Sequence, residues 1–466
     1  MEAEEKPPRD DVSIEEAASC VQWALLELTD ALSLHFFWNT LYNLQIKVQE
    51  LYNFRDTYFE IHGIEKAADR MQEVEAKLKE VLSFLDYVHA SHEDTAKCLY
   101  LRGKALNVKA DFDQTAQDTL AKAVKLVPKM VEAWNALGEC YWKKGDMVAA
   151  KNCFTGALGH SRNKESLRNL SMVLRQLGED ASERAENVQR SVSMAKESVS
   201  LDISDGMSWY ILGNAYLSQF FIITQSPQIL KQCMSAYRQA EKDRRAASNP
   251  DLHFNRAMAY KYQEEYEQCI KDFKKAYMFD PGFTECDEEK KKLLSYLSRT
   301  MELVRGKGKL KTKRLQSMIQ SLGELELGPY AGGSYTSAKG ASVKLEHITA
   351  SQLVSGFNRG KVVMGRMVGS VLMDDPLPYT FAMVERTGLC LPVMVYNMNI
   401  SSGFVVGDSV AIPEPFLQVT DFAEDDKIYK FESIRVDNPV VMVVNKRKLG
   451  KGQLAPSVLS VTAKNE

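Results

Sequence analysis

No two cysteines stand close enough in the sequence to form a C-x-x-C pair. The eight thiols, Cys20, Cys98, Cys140, Cys153, Cys233, Cys269, Cys286 and Cys390, are scattered singly over 466 residues. A chain of this length buries enough apolar surface to fold without disulfides, and isolated thiols suit the reducing cytosol or nucleus. Histidine is scarce, at seven residues, and forms no cluster with metal-ligand spacing. H-E-x-x-H, G-x-G-x-x-G and G-x-S-x-G are all missing. Gly306-Lys307-Gly308-Lys309 has neither the spacing nor the hydroxyl of a phosphate loop. The expectation is a protein that is not an enzyme and has no cofactor and no metal.

One-sided charge is missing too. With 59 Lys+Arg against 62 Asp+Glu, a net charge of -3 and a mean hydropathy of -0.30, the chain is neither a basic nucleic-acid coat nor an acidic disordered chain. The acidic opening MEAEEKPPRDD lacks the basic and apolar regions of a secretory signal. The most apolar early stretch, Cys20 to Asn43, carries Glu27, Asp30, His35 and Asn39, charges and amides that disfavour a bilayer. Residues 1–43 therefore read as a variable or amphipathic N-terminal segment, with no membrane as partner.

What is present is a period of about 34 residues between roughly 96 and 290. Counting Val131 as position 1, Trp134 falls at 4, Leu137 at 7, Gly138 at 8, Tyr141 at 11, Ala150 at 20, Phe154 at 24 and Ala157 at 27. Large residues at 4, 7, 11 and 24 fill the space between two antiparallel helices. Small ones at 8, 20 and 27 let the backbones approach. This is the tetratricopeptide pattern. A second complete unit starts at Pro250, with Arg256-Ala257 at 7 and 8, Tyr260, Cys269, Phe273, Ala276 and Pro281. Weaker units cover Ala96–Pro128, Lys164–Ser200 and Gly206–Ala240, which makes about five helix pairs and predicts a solenoid with a concave groove. Helices over Leu44–Phe59 and Ile64–His89 lead in, and Cys286–Arg305 caps the stack, so the helical domain runs over 44–304.

Residues 305–327 read as a basic linker, with six positive charges between Arg305 and Arg314. Such a run is a solvated spacer, a contact for an anionic surface such as nucleic-acid backbone, or an import signal. Lys309, Lys311, Lys313 and Arg314 are the candidate contacts. From 328 to 466 the texture turns to strands, expected over Lys361–Met373, Tyr379–Glu385, Leu389–Met398, Ser409–Pro413 and Tyr429–Val444. A long first strand with an internal glycine, a meander and a G-D-S-V approach to a fourth strand suggest a small all-β OB-fold barrel. From Gly333 onward, 14 Lys/Arg face 13 Asp/Glu. Tyr379, Phe381 and Tyr396 sit in apolar strands, so the barrel reads as a protein-interaction or stabilising domain rather than a strand binder.

In tetratricopeptide repeats, positions 2, 5, 9 and 12 of each first helix line the groove. That count selects Asn135 and Glu139, Arg168 and Arg175, Tyr210 and Asn214, and Asp251 and Lys261, with Asn255 beside the last pair. Both signs are displayed. An arginine takes a carboxylate, an aspartate takes a guanidinium or amine, and asparagines bind the backbone of an extended peptide. The groove is therefore expected to take a short mixed-charge peptide. The alternatives are structural: Arg175 neutralising Glu139 or a loop acid, and Asp251 serving the dipole of its own helix.

The runs LVPKMVEAWNALGECYWKKGD, NLSMVLRQL, SWYILGNAYLS, SNPDLHFNRA, KTKRLQSM and VMVYN, followed by GDSVAIPEP, resemble the family of tetratricopeptide repeat protein five. The likeness runs from about Gln45 to the C-terminus, and 13–40 has no counterpart in it. It implies a non-enzymatic adaptor of cytoplasm and nucleus. In one role, the repeat groove binds the N-terminal Met-Arg-Glu peptide of nascent α- and β-tubulin at the translating ribosome. Asp251 and Arg175 supply the acid and base, Lys311 and Lys313 meet ribosomal RNA, and a downstream mRNA-decay adaptor is recruited. The alternative role is a nuclear scaffold of a histone-acetyltransferase coactivator complex in the p53 stress response.

Overall fold

The structure, a computed structural model, describes residues 39–91, 95–336, 342–372, 378–399 and 403–455; most of the 1–43 segment lies outside them. The chain divides into two units, 1–183 with 193–203, and 184–192 with 204–466. Each is described by itself.

Unit one opens with helix α1 over 39–56, then α2 (Tyr58–His62) and α3 (Arg70–Ser91). Helix pairs follow: α4 (Ala96–Leu106) with α5 (Gln114–Leu126), α6 (Val131–Lys143) with α7 (Met147–His160), and α8 (Lys164–Leu174) leading into α9 (Ala181–Leu201). Their starts are legible as caps. Asp113, Asp146 and Asn163 each accept a backbone N–H from the first turn, which satisfies donors that a helix otherwise leaves open. The close approach expected at position 8 is real. A Cβ on Gly138 would lie 2.5 Å from the Phe154 ring, the position-24 residue of its own repeat. Tertiary packing therefore demands glycine there, against its low helix propensity. Leu99, Leu120, Leu137, Cys140 and Cys153 belong to one buried cluster with α1 and α3.

Unit two continues with α10 (Gly206–Ile222), α11 (Pro227–Ala240), the short α12 (Arg244–Ala247), α13 (Pro250–Gln263), α14 (Tyr266–Phe279) and α15 (Glu285–Arg305). Gly213 repeats the Gly138 arrangement against Tyr237, at 2.6 Å. Position 7 of the last repeat departs from the pattern: Arg256 is buried there. Its guanidinium donates to Asp272 through Nε (2.6 Å) and Nη2 (2.8 Å) and to Glu241 through Nη1 (2.6 Å). The hydrogen bonds from Arg256 are the main reason Glu241 is held down to about 2. Burial works to raise the Asp272 carboxyl, but His253 and Arg256 outweigh it and keep it below the usual range.

The basic segment is not an extended linker. Residues Lys307–Lys309 form a tight turn, α16 spans Thr312–Gln320, and a further 3-10 turn covers Glu324–Tyr330. Leu310, Leu315, Met318 and Ile319 pack with Leu303 and Val304 of α15 onto Val368, Ala382, Val384 and Cys390. Apolar residues at i, i+3 and i+4 between the charges built this helix; the density of lysine masked them.

The strands are β1 (Ser334–Thr336) and β2 (Ser342–Lys344), which pair in a small sheet of their own, and, in the barrel, β3 (Glu346–His347), β4 (Gly356–Phe357), β5 (Lys361–Ser370), β6 (Tyr379–Val384), β7 (Cys390–Val395), β8 (Ser409–Pro413), β9 (Phe416–Glu424), β10 (Lys427–Val436), β11 (Val443–Val444) and β12 (Arg447–Lys448). β5, β6 and β7 form an antiparallel meander, and β10 joins β7 in parallel. β8 pairs with β5 and β9 with β10. One strand, broken at Glu414-Pro415 with Glu414 at φ 45°, therefore closes the ring. This is OB topology. Sequence patterning missed β9, where Gln418, Asp421 and Glu424 interrupt the apolar alternation, and it merged β10 with β11. Inside lie Val363, Met367, Phe381, Met383, Val393, Ile412, Ile434 and Val436.

Arg256→Met strands Asp272 in the core and should lower stability by about 3–5 kcal/mol in chemical denaturation of the full chain. Glu241 and Asp272 ionise more readily when folded, so their contribution is complete above about pH 5 and fades as pH falls toward 2. Wild-type stability should therefore fall more steeply than that of the variant across this window.

Candidate peptide and polyanion sites

In unit one the groove positions form a connected polar network. Asn135 is buried, and its Oδ1 accepts a 2.6 Å hydrogen bond from Ser166 Oγ on the next repeat. Glu139 is half-buried and accepts from Asn107 Nδ2 at 3.3 Å and Asn169 Nδ2 at 3.5 Å. Burial, then Glu165, push its carboxyl up, while Lys143, Arg55 and Arg168 oppose the shift. Arg168 is half-buried on α8, and Arg175 closes that helix as its half-buried C-cap residue. Asn135 thus holds two repeats in register, and the arginines bring positive charge to the same helix.

In unit two, Asn249 caps α13 by accepting the Asp251 N–H at 3.0 Å, so Asp251 itself is not the cap. Its carboxylate is exposed in the first turn. The protein mass around it, and then Asp280, push that carboxyl up to about 6. Solvent reaches the group and tempers the desolvation, so the upward direction is the property that matters for binding. One turn on, Asn255 is buried and donates through Nδ2 to Asn214 Oδ1 at 3.2 Å, which also receives the Tyr237 hydroxyl at 2.7 Å. Among the described residues nothing donates to Asn255 Oδ1. A buried acceptor left open is costly, and here it lies at i+4 from an exposed carboxylate, on the same helix face. That oxygen is enclosed by the protein, so Asn255 serves the packing of α13 and Asp251 alone of the two faces solvent. Lys261 is spent elsewhere, in a 2.9 Å ion pair with Glu289, and Tyr210 is buried.

The basic residues occupy the start of α16. Lys309, Lys311, Lys313 and Arg314 are exposed, and no acidic residue stands in the first turn. The helix dipole and the cations therefore add, which favours an anion at this end. Gly308 sets the approach of this turn to the barrel: at φ 68°, a Cβ would lie 1.9 Å from Val368 O.

The sheet face over the second and third strands of an OB barrel is where oligonucleotides bind in that fold. Here the outward residues of β6 and β7 are covered. Ala382, Val384 and Cys390 lie under α15 and α16. The Thr380 hydroxyl meets Tyr296 at 2.7 Å, and the Tyr266 hydroxyl contacts Met394 Sδ at 3.4 Å. This barrel presents that face to its own helices. Sequence reasoning judged the domain by charge and had no means of seeing the cover.

A repeat domain with polar groove residues, joined to a barrel whose sheet face is occupied, defines a protein-binding adaptor of the tetratricopeptide class. The profile described as "Tetratricopeptide repeat protein 5 OB fold domain" matches residues 344–458, and tetratricopeptide-repeat profiles match 131–163 and 250–283. The chain is 47% identical over 422 residues to "Tetratricopeptide repeat protein 5" of Homo sapiens, covering 90% of this chain and 96% of that one. It is 48% identical over 426 residues to the Mus musculus protein of that name, covering 91% and 96%. The chain belongs to the tetratricopeptide repeat protein 5 family. Among solved structures, YrrB, described as a TPR protein with an unusual peptide-binding site, is 18% identical at a TM-score of 0.30, covering 44% of this chain and 97% of that one, a likeness too distant to bear on function.

Among the described residues no helix is long and apolar enough to cross a membrane, and no group of His, Cys, Asp and Glu could hold a metal ion. The seven described cysteines are free thiols.

Ala382→Asp places an unpaired carboxylate beneath α15 and α16. It should cost on the order of 3 kcal/mol in thermal or chemical denaturation. A change within about 0.5 kcal/mol, the norm for an open surface site, would show that the face is not covered.

Proposed function

We propose that this protein is a non-enzymatic adaptor that binds the N-terminal Met-Arg-Glu peptide of nascent α- and β-tubulin at the translating ribosome and triggers decay of tubulin mRNA. The observation that carries the reading is the face of α13. An exposed carboxylate at Asp251 suits the peptide arginine, and the buried amide of Asn255, one turn on, ties that helix to Asn214 behind it. Within unit one, Arg175 and Arg168 on α8 carry the opposite sign, the one a peptide glutamate takes. Membership of the family supports the adaptor class. Lys309, Lys311, Lys313 and Arg314 then serve the ribosomal RNA backbone through counterion release. A downstream mRNA-decay adaptor completes the chain of partners. The setting is cytoplasmic, with entry to the nucleus. The alternative nuclear role, as scaffold of a histone-acetyltransferase coactivator complex, would have to use surfaces other than the covered sheet face.

The decisive experiment is recovery of ribosomes displaying a tubulin N-terminus. Arg175→Glu should reduce recovery at least tenfold, and undiminished recovery would remove Arg175 from the site.

Free-peptide affinity should weaken as pH falls from 7 toward 4, because Asp251 must be ionised to take a guanidinium and its carboxyl is shifted upward from the ordinary aspartate range. Asp251→Asn should flatten that dependence; an equally steep profile in the variant would assign the titration to another group. Lys311→Glu with Lys313→Glu should lower the slope of log affinity against log salt for single-stranded RNA by roughly 1.4. An unchanged slope returns both lysines to solvated surface.

A further inference from the structure

The last repeat breaks a local rule at one position. Gly145, position 15 of the repeat that starts at Val131, ends its first helix at φ 85°. The equivalent residue of the repeat that starts at Pro250 is Glu264, held left-handed at φ 62°. Glycine is the residue that adopts this conformation without penalty. A glutamate there, with its side chain fully buried, is strain that the surroundings must offset.

They do so through the barrel. Arg435, on the outer face of β10, donates through Nη1 to Glu264 Oε1 at 3.0 Å and to the Tyr262 carbonyl at 2.7 Å, and through Nε to Asp437 at 2.9 Å. Its guanidinium lies 4.0 Å from the Tyr396 ring centre and 5.0 Å from that of Tyr262. Burial pushes the Glu264 carboxyl up, and Arg435 pulls against that shift. A second attachment lies along α15, where Tyr296 meets Thr380, Arg299 Nη1 donates to Leu372 O at 2.9 Å and Lys307 Nζ donates to Gly388 O at 2.7 Å. Further contacts join the same repeats to the barrel, Tyr266 against Met394 and Asn397 Nδ2 donating to Gln225 Oε1, but the Arg435–Glu264 pair is the one among them that holds a buried charge on each side. α16, packed between α15 and the barrel, is placed by this seating.

We propose that Arg435 and Glu264 form a positioning latch that holds the basic helix α16 at a set distance from the Asp251 helix α13, so that peptide and polyanion are engaged as one bivalent event. The inference rests on the proposed binding of peptide and ribosome. Its gain is effective concentration: once one site is filled, the second binds intramolecularly, provided the geometry allows both at once.

The test uses the full chain with the pair Glu264→Gly and Arg435→Met. The first substitution installs the glycine that the equivalent repeat position uses, so the backbone is relieved while the latch is lost; the second avoids leaving a cation unpaired. Genetically encoded spin labels at 242 and 316 report the distance between the two regions. Wild type should give one narrow distribution and the variant one at least twice as broad. Affinity for free Met-Arg-Glu peptide and for bare ribosomes should each stay within about twofold, while affinity for ribosomes displaying the peptide falls roughly tenfold or more, as loss of avidity requires. A narrow distribution in the variant overturns the latch. A broadened one with full affinity for displaying ribosomes overturns its role in binding. If wild type does not prefer displaying ribosomes over bare ones, the peptide reading fails and the bivalent role with it. The distance measurement then still decides, on its own, whether the latch exists.

Discussion

A guanidinium held between two tyrosine rings joins the repeat half of unit two to its barrel half. Arg435 meets Glu264, the Tyr262 carbonyl and Asp437 in a nearly dry setting, where an ion pair strengthens but a missing partner costs heavily. The geometry depends on a glutamate in a backbone conformation that belongs to glycine. That local penalty is intelligible only because the carboxylate is needed at that point. With the barrel seated there, β6 and β7 close over α15, and α16 is pinned along their edge.

The seating changes what each part can do. A small OB barrel with an open sheet would invite single strands. With aliphatic outward residues under two helices, it acts as the terminal cap of the repeats and as a mount for cations. The same economy shows in the groove. Asn135 and Asn214 are spent on contacts with Ser166 and with Tyr237 and Asn255. Asp251 remains exposed to a ligand on α13. Polar residues at equivalent repeat positions therefore divide into those that hold the stack and those that face outward.

Much of the fold was legible because its causes are local or strictly periodic. Helix pairs follow from the spacing of Trp134, Leu137, Tyr141 and Phe154, and helix starts from Asp113, Asp146 and Asn163. β5 through β8 follow from β-branched runs between turn residues. Legibility failed where burial, not pattern, decided. Arg256 reads as a surface arginine at a core position, and its pairing with Asp272 lies 16 residues away. β9 carries charges because one of its faces meets solvent. α16 hid its apolar stripe among lysines.

What the sequence determined by itself was the inventory: repeats of about 34 residues, a barrel of alternating strands, a cluster of six cations in ten residues and a set of groove positions bearing both signs. Spacing suffices for these, since helix and strand periods are properties of the backbone. Which polar groups are consumed and which are free to bind was decided by tertiary structure alone. Hydrogen-bond partners, burial and the cover over the barrel's sheet come from segments far apart in the chain. Glu264 shows the difference most plainly. In sequence it is one acid in a Gln-Glu-Glu run, and only its meeting with Arg435, 171 residues on, explains its presence where glycine belongs.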